Sequence, residues 1–248
     1  MLFDIGAGRQ VIGVSRYDTF PRRVMSLPRL GALLDPDYEG ILRLMPDLVL
    51  TYSSQTELER RLTAGGIRVY SYRHAGIDGA IRTMHNLAAL TGHEQEGQAA
   101  IQRLQRKLDA VRQRIRGRRP VRTLLVFGRE RGTLRQIYAA GGIGFEHEIL
   151  ELAGGINVFA EARRESVQPS IETILTKAPE AIIELHAASS PDASTVKSDH
   201  EVWSRLASIP AVRTGHVRPM YGEYLSIPGP RMGEIAEAMA RALHPDAF

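Results

Sequence analysis

Glu39-Gly40-Ile41-Leu42-Arg43-Leu44-Met45-Pro46-Asp47-Leu48-Val49-Leu50 and Glu172-Thr173-Ile174-Leu175-Thr176-Lys177-Ala178-Pro179-Glu180-Ala181-Ile182-Ile183 align at an offset of 133 residues. Each begins with a glutamate on a short helical pattern, reaches a proline, and continues into an apolar run with an acidic residue at its mouth. Proline ends the helix because its ring disfavours helical backbone at the preceding residue. The apolar run has the length and branching of a buried strand. Helix–Pro–strand is common grammar in α/β proteins, but two copies at a fixed offset in one chain predict two similar lobes.

Working outward from the first copy, the pattern predicts a helix over 37–45, a strand over 47–51, a helix over 55–63 closed by Gly65-Gly66, and a strand over 67–71. Such a strand–helix–strand unit requires a parallel sheet covered by helices. Upstream, Gln10–Ser15 reads as a short strand after the end of a helix at Gly6-Ala7-Gly8. Downstream, a helix is expected over about 77–90.

From Glu94 to Arg116, Ala99, Ile101, Leu104, Leu108, Val111 and Ile115 recur mainly at steps of three and four with polar residues between, predicting one amphipathic rod about 33 Å long. Around the second copy, strands are expected at 121–127, 181–185 and 216–220, and helices at 145–152, 170–176, 200–207 and 230–243. The predicted fold is therefore α/β: two Rossmann-like lobes, each a mostly parallel sheet flanked by helices, joined by one long interlobe helix. The lobes are placed at 1–92 and 118–248, with the helix at 93–117. Two lobes on one linker imply a cleft, a usual place for a ligand.

A chain of 248 residues with a hydrophobic fraction of 43% can bury a substantial core. The absence of cysteine excludes a disulfide scaffold, thiolate metal sites and thiol catalysis. Although the sequence pI is about 9.6, 32 basic against 28 acidic residues leave only +4, weak evidence for a polyanionic partner, so nucleic acid is not expected. No run of 18 apolar residues suits a membrane helix. A glycine-rich phosphate loop after a strand, a Walker loop and a Gly-x-Ser-x-Gly elbow are all missing, and His147-Glu148 lacks a second histidine four residues on. These patterns predict neither an enzyme nor a protein-bound metal.

The remaining candidates are aromatic and charged. Tyr17 follows the first expected strand, Tyr52 follows Leu50-Thr51, and Tyr138 precedes Ala139-Ala140-Gly141-Gly142. Facing one cleft, the three would form a flat amphipathic wall for a large ring-shaped ligand. In the segment Tyr221–Arg231, Tyr224 and Arg231 supply a polar side, with Pro230 expected to open the following helix and Arg231 offering a fork of donors to an anion. Glu39 and Glu172 favour their helix dipoles. Their equivalent positions also suit docking onto arginines of a partner with two-fold symmetry.

In order along the chain, Val11-Ile12-Gly13-Val14-Ser15 with Tyr17 and Pro21, Glu39-x-Ile41-Leu42, Pro46-Asp47-Leu48-Val49, Phe127-Gly128, Glu148-Ile149-Leu150, Gly154-Gly155-Ile156-Asn157-Val158-Phe159, Pro169-Ser170-Ile171-Glu172-x-Ile174-Leu175 and Pro228-Gly229-Pro230-Arg231 resemble the class III (cluster A-III) periplasmic substrate-binding proteins of vitamin B12, iron–siderophore and haem ABC importers. The resemblance implies a non-enzymatic binding component located in the periplasm or at the outer face of the cytoplasmic membrane, with a lipid anchor an option for the full-length protein. It further implies a corrinoid ligand such as cobalamin, contacted by residues matching Tyr17, Tyr52 and Tyr138. The ABC permease dimer with its ATPase subunits would be the partner, docking on the residues matching Glu39 and Glu172.

Two departures qualify the expectation. The chain begins inside the helix that follows the family's first strand, which leaves the first lobe short of that strand. Ser166 stands about where B12-binding members carry tryptophan, while Arg129, Arg131, Arg163 and Arg164 would suit an anionic ligand, a ferric siderophore or haem. A rival from another class, a metal-chelate-processing enzyme, would draw its ligands from His74, His147, His186 and Tyr224.

Overall fold

The computed structural model describes residues 1–73, 76–187 and 192–248. It divides into two compact units, Met1–His74 with Ile81–Ala100, and Ala75–Ala80 with Ile101–Phe248. Both are mixed α/β.

In the first unit, the expected strand at 10–15 is reduced to one parallel bridge between Val14 and Arg29. Val14 bonds through its backbone to Pro28 and Leu30, while side chains take both backbone groups of Ser15. Ser15 N donates to Asp18 Oδ2 at 2.9 Å, and the Arg29 guanidinium donates to the Ser15 and Asp18 carbonyls at 3.1 and 2.5 Å. The presumed helix end at Gly6-Ala7-Gly8 is a single 3-10 turn, Ala7–Arg9.

The next elements follow the expected grammar: α1 (Tyr38–Arg43), β1 (Leu48–Tyr52), α2 (Thr56–Ala64) and β2 (Arg68–Tyr72). The strands β1 and β2 pair in parallel, from Leu48 opposite Arg68 to Tyr52 opposite Tyr72. Ile41, Leu58 and Leu62 form the buried cluster beneath them. Two helices follow, α3 (Gly76–Thr91) and α4 (Glu94–Arg114). The latter runs unbroken for 21 residues and buries Ile101, Leu104, Leu108 and Val111 of the predicted stripe, whereas Ala99 is exposed with Ala100 buried in its place, and Ile115 lies half-buried just past the helix end. The boundary between the units falls within it. Among the described residues, no helix is long and apolar enough to cross a membrane.

The second unit holds β3 (Val121–Gly128), β4 (Tyr138–Ala140), α5 (Phe145–Leu152), β5 (Gly155–Asn157), β6 (Ser166–Val167), α6 (Ile171–Lys177), β7 (Ala181–His186), α7 (Ala193–Glu201), α8 (Pro210–Arg213), β8 (Val217–Tyr221) and α9 (Met232–Leu243). Its six-stranded sheet runs β6-β4-β3-β7-β8, with β5 alongside β3. The β3–β5, β3–β7 and β7–β8 pairs are parallel, whereas β4 and β6 are antiparallel additions. Leu124, Val126, Ile174, Ile182 and Trp203 centre the core.

Two expectations shift here. The helix expected at 200–207 is instead α7, capped by Asp192 accepting from Thr195 N at 2.7 Å, followed by a 3-10 turn, Val202–Leu206. Pro230 does not open α9, which starts two residues later with Arg231 at its N-cap.

The two copies of the helix–Pro–strand motif match in backbone as well as sequence. Asp37 caps α1 by accepting from Gly40 N at 2.8 Å, and Ser170, its counterpart at the same offset, caps α6 by accepting from Thr173 N at 3.2 Å. Before each proline the chain enters left-handed backbone, φ 47° at Met45 and 45° at Ala178. That conformation opposes a β-carbon by about 1–2 kcal/mol. The strain turns the chain out of the helix and into the strand in both units.

Candidate functional site

In open α/β sheets ligands gather beyond the C-terminal ends of the parallel strands. At that end of the first unit, β1 and β2 finish on a pair of tyrosines, Tyr52 and Tyr72, whose rings meet edge to face at 5.6 Å. Burial, then the Asp18 carboxylate and the neighbouring Tyr52, push the Tyr72 phenol above its ordinary range, so it stays protonated. Its proximity to Asp18 places the Tyr17 turn at the same strand ends. The turn at 32–35 is tied there too, because Gln55 donates to the Leu33 carbonyl at 3.1 Å and accepts from Tyr52 N at 3.0 Å.

This end of the unit carries an exposed apolar set: Tyr17 (74% exposed), Phe20, Leu33 and Leu34 (94%). Tyr17 and Tyr52 both belong to the first unit, Tyr17 next to Asp18, whose charge acts on the Tyr72 phenol beside Tyr52. Tyr72 was missed in the sequence, although its place at the end of the second parallel strand was the signal that could have found it.

In the second unit, Tyr138 opens β4 opposite Gly128 and is 40% exposed. Tyr224 lies in the turn after β8, and the Arg231 guanidinium stacks over its ring at 4.8 Å, so these two predicted partners meet. Arg163 and Arg164 are exposed, as is Arg131, which donates to Thr195 Oγ1 at 3.1 Å. Arg129 is a correction: only 3% of its side chain is exposed, and its charge is committed to buried carboxylates.

That commitment belongs to a network at the ends of β3, β7 and β8. Arg129 Nε lies 2.6 Å from Glu184 Oε1 as an ion pair without hydrogen-bond alignment, while Nη2 donates to Asp199 Oδ1 at 2.7 Å. Trp203 Nε1 donates to Glu184 Oε2 at 2.8 Å, and the Tyr221 hydroxyl donates to Asp199 Oδ2 at 3.0 Å. Burial, reinforced by that carboxylate, pushes the Tyr221 phenol far above its usual range. His186 stacks on Tyr221 at 4.8 Å with Nε2 3.2 Å from Glu184 and 3.7 Å from Asp199.

Glu184, His186 and Asp199 offer three ligand atoms within 4.8 Å of one another, a spacing a metal ion could use. The Arg129 guanidinium already contacts both carboxylates and serves as their counter-cation, which argues against a metal there. Of the metal ligands weighed for an enzyme, His147 stands apart beside Glu151 and Asn157, Tyr224 packs with Arg231, and His74 lies outside the described residues.

Glu39 and Glu172 both stand exposed in the first turns of α1 and α6. The Ser170 hydroxyl and the local backbone hold the Glu172 carboxyl below its ordinary range, keeping it charged. Each unit thus displays one carboxylate at the same point of the same motif.

A family model described as periplasmic binding protein matches residues 1–223. The vitamin B12-binding protein of Salmonella typhimurium is 26% identical over 239 residues, spanning 96% of this chain and 84% of that protein. The vitamin B12-binding protein of Yersinia pestis is 27% identical over 186 residues, 74% of this chain and 64% of its own.

Among solved structures, the periplasmic vitamin B12-binding protein of Vibrio cholerae superposes with a TM-score of 0.82 at 22% identity, covering 99% of this chain and 92% of that one. The periplasmic haem-binding protein of Vibrio cholerae gives 0.83 at 20% identity over 98% and 94%. That of Roseiflexus sp. RS-1 gives 0.80 at 24% over 100% and 94%. These likenesses share the fold across ligands. With the matched family, the two α/β units and the strand-end faces together, the chain belongs to the periplasmic binding proteins of the class III type, the non-catalytic substrate-binding components of vitamin B12, iron–siderophore and haem ABC importers.

Proposed function

We propose that the chain captures a corrinoid of the cobalamin type and delivers it to an ABC permease. Tyr17 and Tyr52, joined by Tyr72, would contribute from the first unit, and Tyr138, Tyr224 and Arg231 from the second. The observation that carries the reading is the exposed aromatic and aliphatic set at the strand ends of the first unit, because a broad, largely apolar ring can cover such a surface and remove it from water. Vitamin B12-binding relatives at 26–27% identity support the same ligand class. Titration with cobalamin and cobinamide should change the visible spectrum of the ligand and release heat. No response to either would remove the corrinoid.

The second reading, haem or a ferric siderophore, is favoured by exposed Arg163 and Arg164. A spectral response to haemin or a ferric siderophore, without one to corrinoids, would establish it.

Docking on the permease is assigned to Glu39 and Glu172. The double substitution Glu39→Arg with Glu172→Arg should reduce transport at least tenfold and leave ligand affinity within about twofold, since both carboxylates are exposed and charge reversal at an interface is strongly unfavourable. Transport that survives the double reversal would rule this role out.

A further inference from the structure

The network around Arg129 is an unusual use of a protein interior. Two buried carboxylates and one buried guanidinium face one another, and all four carboxylate oxygens have a partner among Arg129, Trp203, Tyr221 and His186. Desolvation of such groups offsets most of their attraction, so stability alone is a poor reason for them. Their geometry offers another.

Arg129 also donates from Nη1 to the carbonyls of Glu130 and Thr133, both at 3.3 Å. It thereby holds the turn that carries the chain from β3 to Tyr138. That turn is further closed by Glu130 N to the Arg135 carbonyl at 2.9 Å and by the Arg135–Glu130 ion pair. Through Glu184 and Asp199 the same guanidinium is joined to β7 and α7. Through the Tyr221 hydroxyl it reaches the end of β8, immediately before the Tyr224 turn. One side chain thus ties together the segments that lead to Tyr138 and Tyr224, and the half-buried His186 ring, stacked on Tyr221, stands beside the same two carboxylates at the end of β7.

We infer that Arg129 is a positioning residue: an internal cation, standing where a divalent ion could otherwise sit, that sets the ligand-facing end of the second unit. The inference rests on the binding role proposed above.

Stability and affinity separate in the test. The triple variant Arg129→Met, Glu184→Gln, Asp199→Asn removes every charge of the network while keeping its volume, and its Tm should stay within a few degrees of the wild type. Its affinity for cobinamide, cobalamin or haemin, whichever the wild type takes up, should nevertheless fall at least tenfold. Asp199→Asn alone, which preserves shape, should lose affinity in the same direction and serves if the triple variant does not fold.

A second readout needs no organic ligand. Arg129→Ala should gain micromolar affinity for Zn²⁺ that the wild type lacks and that a further His186→Ala abolishes, because Glu184, His186 and Asp199 would then be free to ligate. Ligand affinity within twofold of wild type in a folded, charge-free variant would overturn the inference, as would stoichiometric Zn²⁺ binding by the wild type. If the wild type takes up none of the chelates, the binding role itself falls and this inference with it.

Discussion

β1 and β7 begin at the same point of the same motif, 133 residues apart, yet β7 is buried through five of its six residues and β1 through one of five. Their local chemistry is nearly identical: a polar N-cap, a glutamate in the first turn, left-handed backbone before proline, then an apolar strand. Their neighbours are not. β7 lies between β3 and β8 beneath a large core, whereas β1 pairs with β2 and is covered by a small cluster. Equivalent motifs therefore carry unequal shares of stability, and the less enclosed copy belongs to the unit with the exposed strand-end aromatics.

The comparison can be broken first at the strands. Ile182→Ala empties a fully buried position and should cost about 2–5 kcal/mol. Val49→Ala, on a half-buried strand, should cost about 1 kcal/mol. Urea unfolding followed by circular dichroism reads both, and equal losses would mean that the two sheets are equally enclosed.

The caps sharpen it on a smaller scale. Asp37→Ala and Ser170→Ala should each cost about 1 kcal/mol, with Asp37 the larger because its hydrogen bond is shorter and its charge meets the helix dipole. Ser170→Ala should also let the Glu172 pKa rise toward the ordinary carboxylate value, visible by NMR titration. Since the folded-state value is depressed, the associated stability is present above the unfolded pKa and lost as pH falls through the folded one. The deficit of Ser170→Ala should therefore narrow on acidification.

The smallest effects belong to the turns. Ala178→Gly and Met45→Gly relieve left-handed strain at the expense of backbone entropy, and each should stabilise by about 0.5 kcal/mol. A thermal scan showing a loss above about 1 kcal/mol at either position would deny that the strain is shared by the two copies.

Much of the fold was legible along the chain because local rules dictated it. Apolar residues at three- and four-residue steps gave α4 its buried stripe, and Pro46 and Pro179 marked the passage from helix to strand. The strand expected at 10–15 is reduced to the Val14–Arg29 bridge, beside which Asp18, three residues on, takes Ser15 N and Arg29 takes the Ser15 carbonyl. The short strands β4, β5 and β6 were missed because two or three residues show no period, and the sheet they join was what made them strands.

Among the proposed ligand contacts, Tyr17, Tyr52, Tyr138, Tyr224 and Arg231 were readable as candidates from their places beside expected strand ends and turns. Tyr72 needed the β1–β2 register to appear, and Arg129 needed burial to change from a ligand-facing cation into an internal one.

By itself the sequence determined the alternation of helix and strand, the repeated motif and the family, since each depends on spacing within a dozen residues or on order along the chain. Only the tertiary structure decided which charges face water and which face each other. Arg129, Glu184 and Asp199 span 71 positions, and only the pairing of β3 with β7 and the placement of α7 bring the guanidinium to both carboxylates. The reason is physical: the worth of a charge depends on its dielectric surroundings and its partners, and neither is a local property of the chain.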